Sequence, residues 1–228
     1  MIDTILFAGF ALAYAALLVR GVVMVRRLGR VVVSDVVLLV IAALVYDNAI
    51  IAAGRVIGEG PLLEGLNLAR FWVHALLTPL LVLFAWHATA RAGVRWAQTR
   101  VAALVSILVV LALYVLEFVT VLAGLRIEPG WEYGVLSYSD ATGGGGPPIM
   151  VLVVAFTLLV AGFLVWRRTG WVWLLLGAVL ITAGSAVPVP VDSGAITNAF
   201  ELALLVSILA TKANQDHRER AADGPVSP

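Results

Sequence analysis

Seven apolar runs dominate the chain, at residues 4–25, 31–53, 66–90, 98–125, 147–166, 170–187 and 194–212. Each is long enough for a helix through about 30 Å of hydrocarbon. In hydrocarbon a lone segment satisfies all its backbone N–H and C=O groups only as a helix. The chain therefore reads as an all-α integral membrane protein, a single bundle of seven transmembrane helices over residues 1–213 with a disordered cytoplasmic tail over 214–228. Hydrophobic residues make up 62% of the 228 and charged residues 13%, with a mean hydropathy of +1.03. That is more apolar surface than a water-soluble domain of this length can bury. A cytosolic enzyme and a nucleic-acid-binding domain are excluded on that ground, and the bilayer itself is the expected partner.

Turn and breaker residues separate the runs: Gly58 with Gly60-Pro61, Arg91-Ala92-Gly93, the stretch 126–148, Arg167 to Gly170, and Pro188-Val189-Pro190. The first run has no basic residues before it and several after it, the reverse of a cleaved signal peptide, so it stays as a helix. Arg26, Arg27, Arg30, Arg91, Arg95, Arg100, Arg167, Arg168, Lys212, Arg218 and Arg220 fall at one set of helix ends. Only Arg55 and Arg126 fall at the other, together with most loop acids. Positively charged loops stay in the cytoplasm. This predicts an outside N-terminus and a cytoplasmic C-terminus, in what reads as a prokaryotic plasma membrane.

Ionisable groups inside a membrane are expensive and mark a bundle interior or a watery cavity. Here they are Asp47 in the second run, Arg70 and His74 in the third, Glu117 in the fourth and Glu201 in the seventh. At 1.5 Å rise per residue all five lie roughly 6–12 Å below the outer boundary. Their neutral neighbours follow the same depth: Tyr46 and Asn48 flank Asp47, Tyr114 is one turn from Glu117, and Asn198 is one turn from Glu201. Asn67, Arg70, His74 and Thr78 share one helical face by their spacing. The expectation is a polar pocket in the outer half of the bilayer, built by the second, third, fourth and seventh helices. The plain alternative for the charges is a buried ion network that only fixes helix register.

Two chemistries suit such a pocket. A divalent metal held by His74, Asp47, Glu117 and Glu201 could activate water against a lipid ester, amide or phosphoester. The chain lacks the several intramembrane histidines of the hydrolases related to progestin receptors and ceramidases. Alternatively, a desolvated carboxylic acid could protonate a lipid-soluble or isoprenoid substrate while a second carboxylate stabilises the cation. Size, helix number and intramembrane acids parallel the small seven-helix terpene cyclases, at the level of architecture alone. In either scheme Asp47, His74, Glu117 and Glu201 are the candidate catalytic residues. Tyr46, Asn48, Asn67, Arg70, Thr78, Tyr114 and Asn198 are the candidate substrate-binding residues, with Arg70 as the clamp for an anionic group.

The competing class is a non-catalytic binder or sensor of a small molecule or lipid, or a proton-coupled transporter. Retinal is excluded as a cofactor, because the only lysine, Lys212, lies at the cytoplasmic end of the last helix. Iron–sulfur clusters are excluded by the absence of cysteine. Pro79 is expected to kink the third helix, and Trp72, Trp86, Trp96, Trp166, Trp171 and Trp173 to anchor helix ends at the interface. His87 is expected to reach the headgroups. The outer loop 126–148, with Gly143 to Gly146 before Pro147-Pro148, reads as either a hinged lid or a loose connector.

Overall fold

The computed structural model of the chain describes residues 2–142, 149–186 and 194–222. Among these, the helices are α1 (Ile2–Leu28), α2 (Val37–Ile57), α3 (Pro61–Leu77), α4 (Leu80–Arg91), α5 (Arg100–Thr120), α6 (Ile149–Thr169), α7 (Trp173–Ala186) and α8 (Gly194–Ala222). α3 and α4 form one continuous span of 31 residues, so six helical spans are long and apolar enough to cross a membrane. α7, with 14 residues, rises about 21 Å.

The helix limits follow local chemistry. Pro61 starts α3 at the first helical position, where its missing N–H costs nothing, and Gly60 precedes it at φ 151°. The third span thus begins five residues before the apolar run, because Glu64 and Gly65 interrupt the apolar pattern without interrupting the helix. Thr99 caps α5 by accepting from the Ala102 N–H at 3.2 Å. Pro79 breaks the third span as expected: it cannot donate to the Ala75 carbonyl, and the chain restarts through short-range bonds from Leu81 N to Thr78 O and Val82 N to Pro79 O.

Two expectations fail. Residues 214–222, expected as disordered tail, continue α8, and Gln215 and Asp216 are buried there. Polar residues with a buried partner need no apolar pattern to stay helical, which is why hydropathy missed them. The outer loop is neither loose connector nor open lid over its first part. Ile127–Glu132 and Val135–Asp140 pair antiparallel as β1 and β2. Tyr133 (φ 46°) and Gly134 (φ 89°) make the two-residue turn, both left-handed as a hairpin of this kind requires. The four glycines at 143–146 lie outside the described residues.

The hairpin caps the bundle at the N-terminal end of α1. Val135 packs with Phe7, Ile51 and Ala195, and Leu136 and Tyr138 pack with Leu63. Thr4 Oγ1 donates to the Gly134 carbonyl at 3.1 Å. Gly54 lets β2 lie directly on α2, since a Cβ there would collide with the Leu136 carbonyl oxygen.

The main core joins α1, α2, α4, α6, α7 and α8 through Tyr14, Ile41, Phe84, Leu158, Leu174 and Ile208. α5 stands apart. It packs beside α4, and Leu104, Leu108, Leu111, Val115 and Phe118 are exposed along it. A helix apolar all round and bare on one side needs an apolar solvent. Small residues set the closest crossings, as is usual where helices meet in lipid. A Cβ on Gly162 of α6 would lie 2.7 Å from the Leu175 backbone of α7. Gly162→Val should therefore cost about 1–3 kcal/mol by overpacking, whereas Gly9→Val, with nothing within 4 Å, should not. Thermal unfolding of the two variants in detergent checks the contrast; equal melting temperatures would refute the close crossing.

Candidate functional site

A cavity of about 430 Å³ opens between α2, α3, α4, α6, α7 and α8. Its wall is mostly aliphatic: Val40 and Leu44 from α2, Leu81 from α4, Leu158 from α6, Ile181 from α7 and Leu205 from α8. Six polar side chains interrupt it: Asp47, Arg70, His74, Thr78, Thr197 and Glu201. Helical spacing places them. Arg70, His74 and Thr78 are one turn apart on α3 and at its break with α4, and Thr197 and Glu201 are one turn apart on α8. The break at Pro79 lets α3 carry its polar stripe past α4 while Leu77 and Leu81 close the floor. Leu152 lines the cavity and is also 52% exposed, so the cavity opens sideways beside α6.

One ion pair organises the polar side. Arg70 Nε donates to Asp47 Oδ1 at 2.7 Å. Its Nη1 donates to Asn67 Oδ1, a fully buried residue. The same Asn67 oxygen accepts the Tyr138 N–H of β2 at 3.2 Å, and Asn67 Nδ2 donates to the Leu63 carbonyl at 2.8 Å. The hairpin thus holds the residue that holds Arg70. Glu201 has no cation within 4 Å among the described residues. His74 likewise makes no side-chain hydrogen bond among them. Among the described residues these two groups face the cavity without a side-chain hydrogen-bond or ion-pair partner.

Of the residues expected at the site, Asp47, Arg70, His74, Thr78 and Glu201 come together. Glu117 and Tyr114 do not. They lie on α5, half-buried outside the cavity wall, where the neighbouring Phe118 stacks against Trp72. Equal depth fixed their level in the membrane but not their neighbour, and α6 and α7 take the place expected for α5. Tyr46 donates to the Leu66 carbonyl at 2.9 Å, tying α2 to α3 rather than facing the cavity. Asn48 and Asn198 are buried, with Nδ2 of each returned to its own helix and Oδ1 of each unpartnered. Tyr14 of α1 donates to the Asn198 carbonyl at 3.0 Å. Among the described residues no group of three or more His, Cys, Asp or Glu side chains converges as a metal would require. The expected ligand set of His74, Asp47, Glu117 and Glu201 is split by the position of Glu117.

Sequence reading missed three features. Thr197 was detectable as the polar residue one turn before Glu201. The apolar wall from α6 and α7 carried no polar signal at all. A second polar centre also escaped, at the opposite, basic end of the bundle. Lys212, fully buried, donates from Nζ to Asp216 Oδ2 at 2.6 Å and forms an ion pair with Asp35 Oδ1 at 2.8 Å. Arg91 bridges Asp216 at 2.8 Å and Glu219 at 2.7 Å, and Arg30 reaches Glu219 at 2.7 Å. Three cations meet three carboxylates there, joining the α1–α2 connection, α4 and α8. The i,i+4 spacing of Lys212 and Asp216 was its only trace in the sequence. Two ring residues expected near the headgroups turn inward at this end: His87, with a buried and unpartnered Nδ1, and Trp171, which donates to Thr211 Oγ1 at 3.0 Å. Trp86 is half-buried and donates to the Ala97 carbonyl at 2.8 Å.

Comparison with protein-family models, with curated proteins and with solved structures finds no match.

Proposed function

We propose that this chain is a membrane-embedded enzyme that takes a lipid-like or isoprenoid substrate into the cavity and works on it by metal-free acid–base chemistry. The observation that carries this reading is a carboxyl group, Glu201, facing a largely apolar cavity without a cationic partner among the described residues, with His74 lining the same cavity. Such a pairing of apolar volume with a few convergent polar groups is the usual form of a small-molecule site. In the proposed cycle the Glu201 O–H bond breaks as a C–H bond forms on a substrate alkene. The substrate becomes a carbocation and Glu201 a carboxylate. Loss of a proton from a neighbouring carbon to that carboxylate, directly or by way of His74, restores the acid and leaves a rearranged or cyclised product. The Asp47–Arg70 pair supplies fixed charge beside the cation.

Turnover tests the reading. Protein reconstituted into vesicles containing polyprenyl and acyl amphiphiles should consume one of them; Glu201→Gln should lose product formation while still binding, and His74→Ala should lower it less. The second reading is a non-catalytic binder, favoured by one observation: Arg70 already matches the charge of Asp47, so a single acid is left for chemistry. Saturable binding with no product under any condition would select the binder.

The finer topology belongs to the same proposal. Seven spans require α7 to be completed by flanking residues or by local thinning of the bilayer. The clustering of basic residues at one end then puts the hairpin outside and the Lys212 network in the cytoplasm of a prokaryotic plasma membrane. The chain has no cysteine, so single introduced thiols report directly. In intact cells a membrane-impermeant maleimide should label Ser139→Cys on the exposed end of β2 and not Gln98→Cys at the other end. The reverse pattern would invert the orientation.

A further inference from the structure

The charge of the cavity wall says what kind of head it accepts. Two carboxylates, Asp47 and Glu201, face it against one guanidinium, Arg70. Arg70 is engaged by Asp47 through Nε and by Asn67 through Nη1. An anionic head arriving there would have to share Arg70 with a carboxylate at 2.7 Å and would meet Glu201 as a like charge once that acid has given up its proton. The sequence-based role of Arg70 as a clamp for an anion is therefore not the one its partners leave open. A positive head meets the opposite situation: it completes the charge balance of the wall in a site with little water to screen it. Among the described residues no Phe, Tyr or Trp lines the cavity, so its two acids, rather than cation–π contacts, are its main means of stabilising positive charge.

Volume limits the remainder of the ligand. A dry cavity of about 150 Å³ takes one benzene. By that measure about 430 Å³ takes roughly 17 non-hydrogen atoms, one chain rather than two.

We infer that the cavity selects a single-chain amphiphile whose head is positively charged, either permanently, as an ammonium, or transiently, as a carbocation formed on an isoprenoid chain. This deepens the proposed function and rests on it for the identity of the site. An ammonium amphiphile reproduces the charge arrangement of the cationic intermediate in that cycle.

The experiment compares dodecylamine, dodecanoate and dodecyl phosphate, which share one chain and differ in head charge. Binding is measured on the unaltered protein in phosphatidylcholine nanodiscs, with stoichiometry from native mass spectrometry, so the comparison does not depend on any variant folding. Dodecylamine should saturate with a dissociation constant at least about tenfold below those of the two anions. Glu201→Gln should remove most of that preference, and Ala155→Trp, which fills the cavity from α6, should abolish binding of all three. Equal or tighter binding of dodecanoate or dodecyl phosphate, still blocked by Ala155→Trp, would overturn the inference about the head while leaving the cavity as the site. Binding of every probe unaffected by Ala155→Trp would instead overturn the cavity as the site, and the proposed function with it.

Discussion

Replacing Lys212 by methionine should destabilise the protein by about 3–5 kcal/mol, the cost of breaking a buried ion pair by removing one partner. The ammonium is fully buried and touches two carboxylates, Asp35 at 2.8 Å and Asp216 at 2.6 Å. Without it Asp216 keeps Arg91, at 2.8 Å. Asp35 keeps only the Val32 N–H, at 2.7 Å, which satisfies an oxygen but does not neutralise a charge. Most of the loss should therefore trace to Asp35. The double variant Lys212→Met with Asp35→Asn is expected to recover a large part of it, because removing both charges avoids the uncompensated one. Equilibrium unfolding in mixed detergent micelles measures both. A single variant as stable as the unaltered protein would show that the network holds nothing together.

Glu201→Gln should lower turnover on the order of 10²–10⁴-fold, the usual contribution of a positioned general acid or base. The amide keeps the shape of the side chain and its place on α8 but has no proton to give at neutral pH. Glu117→Gln should leave turnover unchanged, since α5 does not reach the cavity. The pair of variants separates an assignment by depth from one by contact. If Glu117→Gln proved as damaging as Glu201→Gln, the site would have to include α5 and the cavity described above would not be the reaction chamber. His74→Ala should fall between the two, because a proton can return to the Glu201 carboxylate without it.

The sequence made the helices legible because crossing a bilayer demands long apolar runs, and it made the level of the site legible because buried charges are rare enough to count. Asp47, Arg70, His74 and Glu201 were located by that argument. Which helices stand beside one another is a different question, decided here by side chains that carry no polar mark. Gly162 against Leu175 and Gly177 against Ser207 pull α6, α7 and α8 together, and α5 is left on the outside with Glu117. The basic end was misread for a related reason. Gln215, Asp216 and Glu219 look like a solvated tail by composition, yet Lys212, Arg91 and the Ala88 carbonyl, which receives Gln215 Nε2 at 2.7 Å, give each of them a partner. The hairpin was hidden by its length of only six residues per strand and by Pro129 within it.

Both polar centres draw on α8, which contributes Glu201 to one and Lys212, Asp216 and Glu219 to the other. That helix is also the last of the eight to leave the ribosome. Until it arrives, Asp35 and Arg91 have no buried counter-charges from it and must stay hydrated near the membrane surface, while the acid of the cavity does not yet exist. The cavity and the ion network at the basic end are therefore completed by the same segment, and a chain without α8 has neither.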